Sequence, residues 1–311
     1  MQVRPDDSPA FSLRQKGGGK NVFTERSMRL IAFACALLSV VTTFGIIWVL
    51  LSQSIPFFRF VSPIDFLTGT EWRPTRDPVA FGVLPLVTGT LMITIGAGIV
   101  AVPLGLLSAI YLSEYAPKWA RQILKPMLEL LAGIPTVVYG YFGLFFVTPL
   151  LKPIFPDIKS SNGLAGAIVV GIMILPLVSS LCEDALRSVP KALREASFGV
   201  GATKTEVITR TVIPAALSGI MAAFILALSR ALGETMAVAL AAGSNPKLTF
   251  NPTESIQTMT AYIVSTAKGD APYGTVKYDS LFAVGVTLFV FTLGMNYLAN
   301  RLVRKFRQVY A

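Results

Sequence analysis

Two opposite charges, Arg230 and Glu234, stand inside "ALSRALGETMAVAL" at 227–240, a run otherwise apolar or small that extends from Pro214 to Ala242. If the run is helical, a spacing of four puts them on one face, within reach of each other. A guanidinium presents a planar fork of donors that suits the oxygens of a phosphate. A charge at the centre of a lipid-spanning helix costs about 2.5–3.5 kcal/mol on insertion scales, so it must face protein or water. Two uses follow. Either the pair neutralises itself and locks neighbouring helices, or the guanidinium lines an aqueous path and lowers the barrier for an anion. In the second use Glu234 prevents a permanent trap, by competing for the arginine or repelling the anion after passage. Ser229 and Thr235 add polar groups near that face. Intramembrane charges are functional by default, so the path is the expectation carried forward.

A second stretch has spacing that bears on mechanism: "REASFGVGATKTEVITRTVIP", residues 194–214. Pro190 suits a first helical turn. Leu193, Ala196 and Val200 follow at helical spacing, and Gly199 and Gly201 then break the pattern. Thr203 with Glu206 three residues later forms a capping box, so a new helix starts there, with Val207 and Ile208 on its apolar side. The expectation is two short helices joined by a glycine bend beneath a membrane. They either rest on the headgroups or fill a groove on a partner. "GVGATKT" is not a nucleotide-binding loop, because that motif needs glycine directly before the lysine and Thr203 stands there. "GGGKN" at 17–21 fails too, with Asn21 where a magnesium-binding Ser or Thr is required.

The elements that must position these residues are apolar spans. The 311 residues are 53% hydrophobic and 14% charged, with mean hydropathy +0.63. Soluble domains carry about 25% charged residues. Six stretches approach the ~20 residues that cross a bilayer: Leu30–Leu51, Val83–Leu112, Leu130–Leu151, Leu164–Leu181, Ala215–Ala242 and Leu281–Leu298. Pro103 and Gly105 are expected to kink the second, and the fifth is expected to be one long helix. Small residues at Ala101/Gly105 and Gly140/Gly143 allow close helix packing. The fold class is an all-α integral membrane protein with six transmembrane helices.

The net charge of +10 does not indicate nucleic acid, because the basic residues lie between apolar spans and form no stripe. Lysines and arginines crowd the N-terminal segment, the 118–125 and 187–210 connections and the tail. The positive-inside bias therefore puts both termini and the 182–213 loop in the cytoplasm, with membrane lipid as a partner. No histidine is present, and Cys35 and Cys182 make no disulfide framework. There is no metal-ligand cluster and no nucleophile–base constellation, so an enzyme is not supported. Glu129 is expected to pair with Lys125.

By domain, 1–28 reads as a disordered cytoplasmic tail. Residues 29–81 read as the first transmembrane helix with its extracytoplasmic loop. A core spans 82–303, with the patterned loop at about 190–214, and 304–311 form a cytoplasmic tail. Extracytoplasmic loops are expected over 52–80, with Pro63, Pro74 and Pro78, and over 243–279, rich in Asn, Pro, Gly and Thr.

The 194–214 loop resembles the EAA motif of type I ABC importer permeases, the MetI-like fold, whose pattern is EAA-x3-G-x9-I-x-LP. Glu195, Ala196, Gly201 and Pro214 match in register. Ser197 replaces the second alanine, Thr211 the isoleucine and Ile213 the leucine. "SRALGETMAV" at 229–238 and "DFLTGTEWRP" at 65–74 look like the phosphate-specific permeases of the PstC type. The similarity covers about residues 24–308. It implies that Glu195, Ala196, Ser197, Gly201 and Pro214 couple to an ABC ATPase subunit (PstB-like). It also implies pairing with a second permease subunit (PstA-like) and delivery of phosphate by a binding protein (PstS-like). This chain then binds no cofactor itself; ATP and Mg sit on the partner ATPase. Other readings stay open: the sister phosphate permease, a sulfate or molybdate permease, or a secondary transporter or channel, against which the EAA spacing argues.

Overall fold

The computed structural model describes residues 20–305. The chain divides into two compact units, Met1–Val49 and Leu50–Ala311. The first, from Lys20, is the opening part of one helix, α1 (Lys20–Phe60). Leu30, Phe33, Phe44 and Trp48 along it are exposed, as a lipid-facing surface requires. The expected disordered tail at 1–28 lies outside the described residues as far as 19. From Lys20 the chain is already helical, because no Gly or Pro interrupts residues 20–29.

In the second unit, α1 runs on past Pro56 to Phe60. Then come α2 (Pro63–Thr68) and an antiparallel pair, β1 (Trp72–Arg73) with β2 (Ala80–Phe81), in which Trp72 faces Phe81. The 52–80 stretch, read as a loop, thus holds the end of α1, α2 and the strand β1. Its aromatic residues supply the reason: Phe57, Phe66, Trp72 and Phe81 pack edge-to-face and are buried together.

Next, α3 (Leu84–Ile110) extends by a π turn, Tyr111–Tyr115, so the second span is close to expectation. The third is not. α4 (Lys118–Ala132) meets the segment formed by α5 (Thr136–Phe142), a π turn (Gly143–Val147) and α6 (Thr148–Leu151) at 91°. Gly133 and Pro135 are the cause, since proline disfavours helix at the residue before it. The 136–151 segment is ~24 Å long at ~1.5 Å per residue, short of the ~30 Å hydrocarbon core.

α7 (Gly163–Arg187) starts at Asn162, whose Oδ1 accepts from the Ala165 N–H at 2.7 Å. The remaining helices are α8 (Lys191–Gly199), α9 (Lys204–Val207), α10 (Ile213–Leu232), α11 (Met236–Ala241), α12 (Met259–Ser265) and α13 (Val276–Lys305). α12 stands in the 243–279 stretch read as a loop, and its Met259 and Tyr262 join the aromatic cluster. Among the described residues five helices are long and apolar enough to cross a membrane, or six if the bent pair is one span.

The main core joins α3, α7, α10 and α11. At Gly105 an added Cβ would lie 2.7 Å from Val178 of α7, and at Gly140 one would lie 2.9 Å from Leu240 of α11. The small residues noted in the sequence do bring these helices into close contact.

Candidate functional site

The apolar run holding Arg230 and Glu234 is not one helix. α10 stops at Leu232, residues 233–235 are irregular, and α11 restarts at Met236. The break has its own hydrogen bonds, as non-helical backbone at membrane depth requires. The Thr260 hydroxyl donates to the Glu234 carbonyl at 2.7 Å. Glu234 Oε1 accepts from the Ala237 N–H at 3.2 Å, capping the new helix. The expectation of a shared helix face is therefore corrected, and no ion pair joins the two side chains among the described residues. Glu234 is buried at the break while Arg230 is exposed. Thr235 donates to the Gly233 carbonyl at 3.2 Å, and Ser229 donates to Asn296 Oδ1 of α13 at 2.9 Å. Neither joins Arg230 at the cavity it lines.

Arg230 opens on a cavity of about 340 Å³ that it shares with Lys125, Glu129, Ser180 and Glu183. Glu183, on the last turns of α7, has a side chain only 1% exposed. It is held from three sides. Arg121 of α4 donates to Oε1, Lys125 Nζ lies 3.3 Å from Oε2, and Arg187, four residues on, lies 3.7 Å from Oε1. Lys125 also reaches Asp184 at 3.9 Å. The expected Lys125–Glu129 pair does not form, because the desolvated Glu183 carboxylate has more to gain from Lys125 than the exposed Glu129 has. Glu183, its partner Lys125 and the Arg230 guanidinium, which has no ion pair among the described residues, thus line one space.

Sequence reasoning missed Glu183 because the fourth span was ended at Leu181, leaving it in a loop. The available signal was the four-residue spacing of Glu183 with Arg187 and of Arg121 with Lys125, each a helical face.

The 190–214 segment folds largely as its spacing requires. Pro190 precedes α8, Gly201 turns the chain at φ +85°, and the Thr203–Glu206 capping box is formed. A side chain at Gly201 would meet nothing within 4 Å, so its backbone conformation is what favours glycine there. One detail differs: α9 is not a separate helix but runs through a π turn, Ile208–Val212, into α10. Buried Val207 and Ile208 seat it on the core. Pro214 lies in the first turn of α10. Glu195, Ala196 and Phe198 are exposed on α8, and Val200 just after it is exposed too. Ser197 turns inward, its hydroxyl 2.9 Å from that of Thr211. Arg194 Nη1 reaches Glu114 Oε1 at 2.6 Å and Lys204 lies 4.6 Å over the Tyr115 ring, tying the loop to the end of α3.

Tightly packed apolar helices long enough to cross a membrane, one of them broken at Gly233–Thr235, define a polytopic membrane protein. Residues 101–308 match the family described as binding-protein-dependent transport system inner membrane component. The chain is 38% identical over 279 residues to the probable ABC transporter permease protein YqgH of Bacillus subtilis, covering 88% of this chain and 90% of that protein. It is 37% identical over 250 residues to the phosphate transport system permease protein PstC of Mesorhizobium japonicum, covering 73% and 74%. A bacterial alginate ABC transporter in complex with its pentasaccharide-bound periplasmic protein shares the fold. Its TM-score is 0.65 at 16% identity, over 91% of this chain and 97% of that one. The chain belongs to this inner-membrane component family, as a type I ABC importer permease of the PstC type.

Proposed function

We propose that this chain is the transmembrane permease subunit of an ATP-driven phosphate importer, forming the anion path and docking an ATPase through the 190–214 loop. The observation that carries the path is Arg230: an exposed guanidinium without an ion pair among the described residues, opening on a cavity with Lys125 and Glu183. The PstC-named relatives supply the substrate class. Arg230 meets the oxyanion, and Lys125 and Arg121 exchange between it and Glu183. The hinge at Glu234 and Thr235, beside Ser229, lets α11 move relative to α10.

The exposed face of α8, with Glu195, Ala196 and Phe198, together with Val200 just after it, suits a groove on a PstB-like ATPase, which carries ATP and Mg. Because α9 is continuous with α10, a push on the loop travels into the helix bearing Arg230. The lysine and arginine pattern supports placing this loop and both termini in the cytoplasm. A PstA-like permease subunit and a PstS-like binding protein complete the assembly.

The test is uptake of radiolabelled phosphate and phosphate-dependent ATP hydrolysis by the complex in proteoliposomes. Arg230→Gln is expected to abolish uptake while the complex still assembles. Normal uptake by that variant overturns the path, and uptake of sulfate or molybdate in place of phosphate reassigns the substrate.

A further inference from the structure

An apolar groove of about 660 Å³ runs along α13, between it and the end of α1 with α2. Phe58 and Leu67 stand on one wall, and Val290, Phe291, Met295 and Leu298 on the other. Leu67, Val290 and Leu298 are each more than half exposed, so their side chains are open to whatever fills the space. The lining takes in residues 283–298 of α13, a length of roughly 22 Å at ~1.5 Å per residue. Asn296, which accepts from Ser229 of α10, follows Gly294 by two residues and so stands about 200° round the helix from it. The groove therefore opens on the side of α13 turned away from α10.

Such a space does not stay empty within a membrane, because its lining atoms would lose their contacts on one side. Water does not suit it. Thr287 is the one polar side chain of the lining, and its hydroxyl already donates to the Ala283 carbonyl at 2.9 Å, so a water would find too few partners. A transmembrane helix does not fit it either. Volume over length gives a cross-section of roughly 30 Å², whereas a helix ~10–12 Å across needs roughly 80–110 Å². Side chains of a helix laid over the rim would enter only about once per ~5.4 Å turn and leave voids between them. A hydrocarbon chain fills a narrow apolar channel continuously. The groove is also long enough for a chain of one leaflet, whose apolar layer is ~15 Å deep, half the ~30 Å core.

We propose that this groove holds one acyl chain of a membrane phospholipid, wedged between α2 and α13. Lipid tails are as apolar as these side chains, so the chain is held by close packing against both walls and the base rather than by the hydrophobic effect. Phe66 and Ala283 at the base belong to the aromatic cluster with Phe57, Trp72 and Tyr262, so the chain braces that cluster from outside. Gly294 gives the groove its width. A Cβ there would meet nothing within 4 Å and its φ is not positive, so neither helix contact nor backbone conformation calls for glycine. A larger side chain at 294 would take the place of the lipid chain. The site does not depend on which solute the transporter carries.

The test is photolabelling of the assembled complex in proteoliposomes of phosphatidylethanolamine and phosphatidylglycerol. A trace of phosphatidylethanolamine carries a diazirine midway along one acyl chain, and adducts are mapped by mass spectrometry. Leu293, exposed on α13 but outside the groove, is the reference for ordinary lipid contact. Labelling at Leu67, Val290 and Met295 is expected to exceed that at Leu293 by about fivefold or more, the mark of a preferred site. Gly294→Leu should bring it down to the Leu293 level and leave Leu293 unchanged. Even labelling along α13 in the wild type overturns the site and leaves only passing lipid. Groove residues protected while Leu293 is labelled also overturn it, because a polypeptide then covers the groove. So does enriched labelling that Gly294→Leu does not move in an assembled complex. If that variant fails to assemble, the wild-type ratio decides alone.

Discussion

Lys125 Nζ lies 3.3 Å from Glu183 Oε2, joining α4 to the buried face of α7 beside the cavity that Arg230 lines. The carboxylate carries most of the energetic risk. Its side chain is 1% exposed, whereas those of Arg121 and Lys125 keep 24% and 33% of their surface. Glu183→Gln is expected to destabilise the complex by about 3 kcal/mol, the lower end for a broken buried pair, since its cations stay partly hydrated. Lys125→Met should cost less, because Arg121 and Arg187 still face Glu183. Thermal unfolding of the purified complex checks both, and equal losses would contradict this division.

Glu234 acts on backbone rather than on Arg230. Its Oε1 caps α11 through the Ala237 N–H. Glu234→Gln keeps an acceptor oxygen and should leave stability within about 0.5 kcal/mol, while Glu234→Ala loses the cap at about 1 kcal/mol. If an ion pair with Arg230 were the stabilising contact, Gln would be as costly as Ala. Denaturation of the two variants side by side decides it.

How much of this was legible depends on the range over which each feature is determined. The capping box at Thr203 and Glu206 and the turn at Gly201 are local, so residue types alone placed them. The close packing at Gly105 and Gly140 followed from small residues at helical spacing. The breaks at Gly133–Pro135 and Gly233–Thr235 did not, although glycine or proline marked each. A hydropathy window sees an unbroken apolar run, and the freed backbone groups are satisfied by distant residues such as Thr260. Glu183 was hidden likewise: its partners Arg121 and Lys125 come from another helix, and no local pattern pairs them. The aromatic cluster of Phe57, Phe66, Trp72 and Phe81 joins four elements of the stretch read as mostly loop.

Glu254 carries a pH dependence whose sign follows from its partner. The side-chain hydrogen bond from Lys247, and then that with Thr249, holds its carboxyl below the ordinary glutamate value. A carboxylate with a depressed folded pKa contributes its stabilisation fully above its unfolded pKa, about 4.3, and loses it as pH falls through the lower folded value. The order of the 244–256 stretch should therefore be constant near neutrality and loosen only in acid. In a carboxyl-carbon NMR titration Glu254 should titrate below ordinary glutamates, and Lys247→Met should move it back up. A midpoint unaffected by Lys247→Met would contradict the assignment.

The two polar departures from the loop motif answer each other across the bend. The Ser197 and Thr211 hydroxyls are 2.9 Å apart, and Ser197 also bonds the Leu193 carbonyl at 3.0 Å. In the motif both positions are apolar, so contact is kept by packing rather than by a hydrogen bond. Removing the Ser197 hydroxyl leaves that of Thr211 half-buried without this partner, whereas Ser197 keeps the Leu193 carbonyl when Thr211 is changed; removing both restores an apolar contact. Ser197→Ala alone should cost about 1 kcal/mol, and Thr211→Val less. The double variant Ser197→Ala/Thr211→Ile should recover most of that loss, a coupling of about 0.5 kcal/mol or more between residues in contact. A double-mutant cycle by thermal unfolding measures it directly. Strict additivity would mean that the hydroxyls do not bond in the assembled transporter, and that α8 is held to the root of α10 by its other contacts alone.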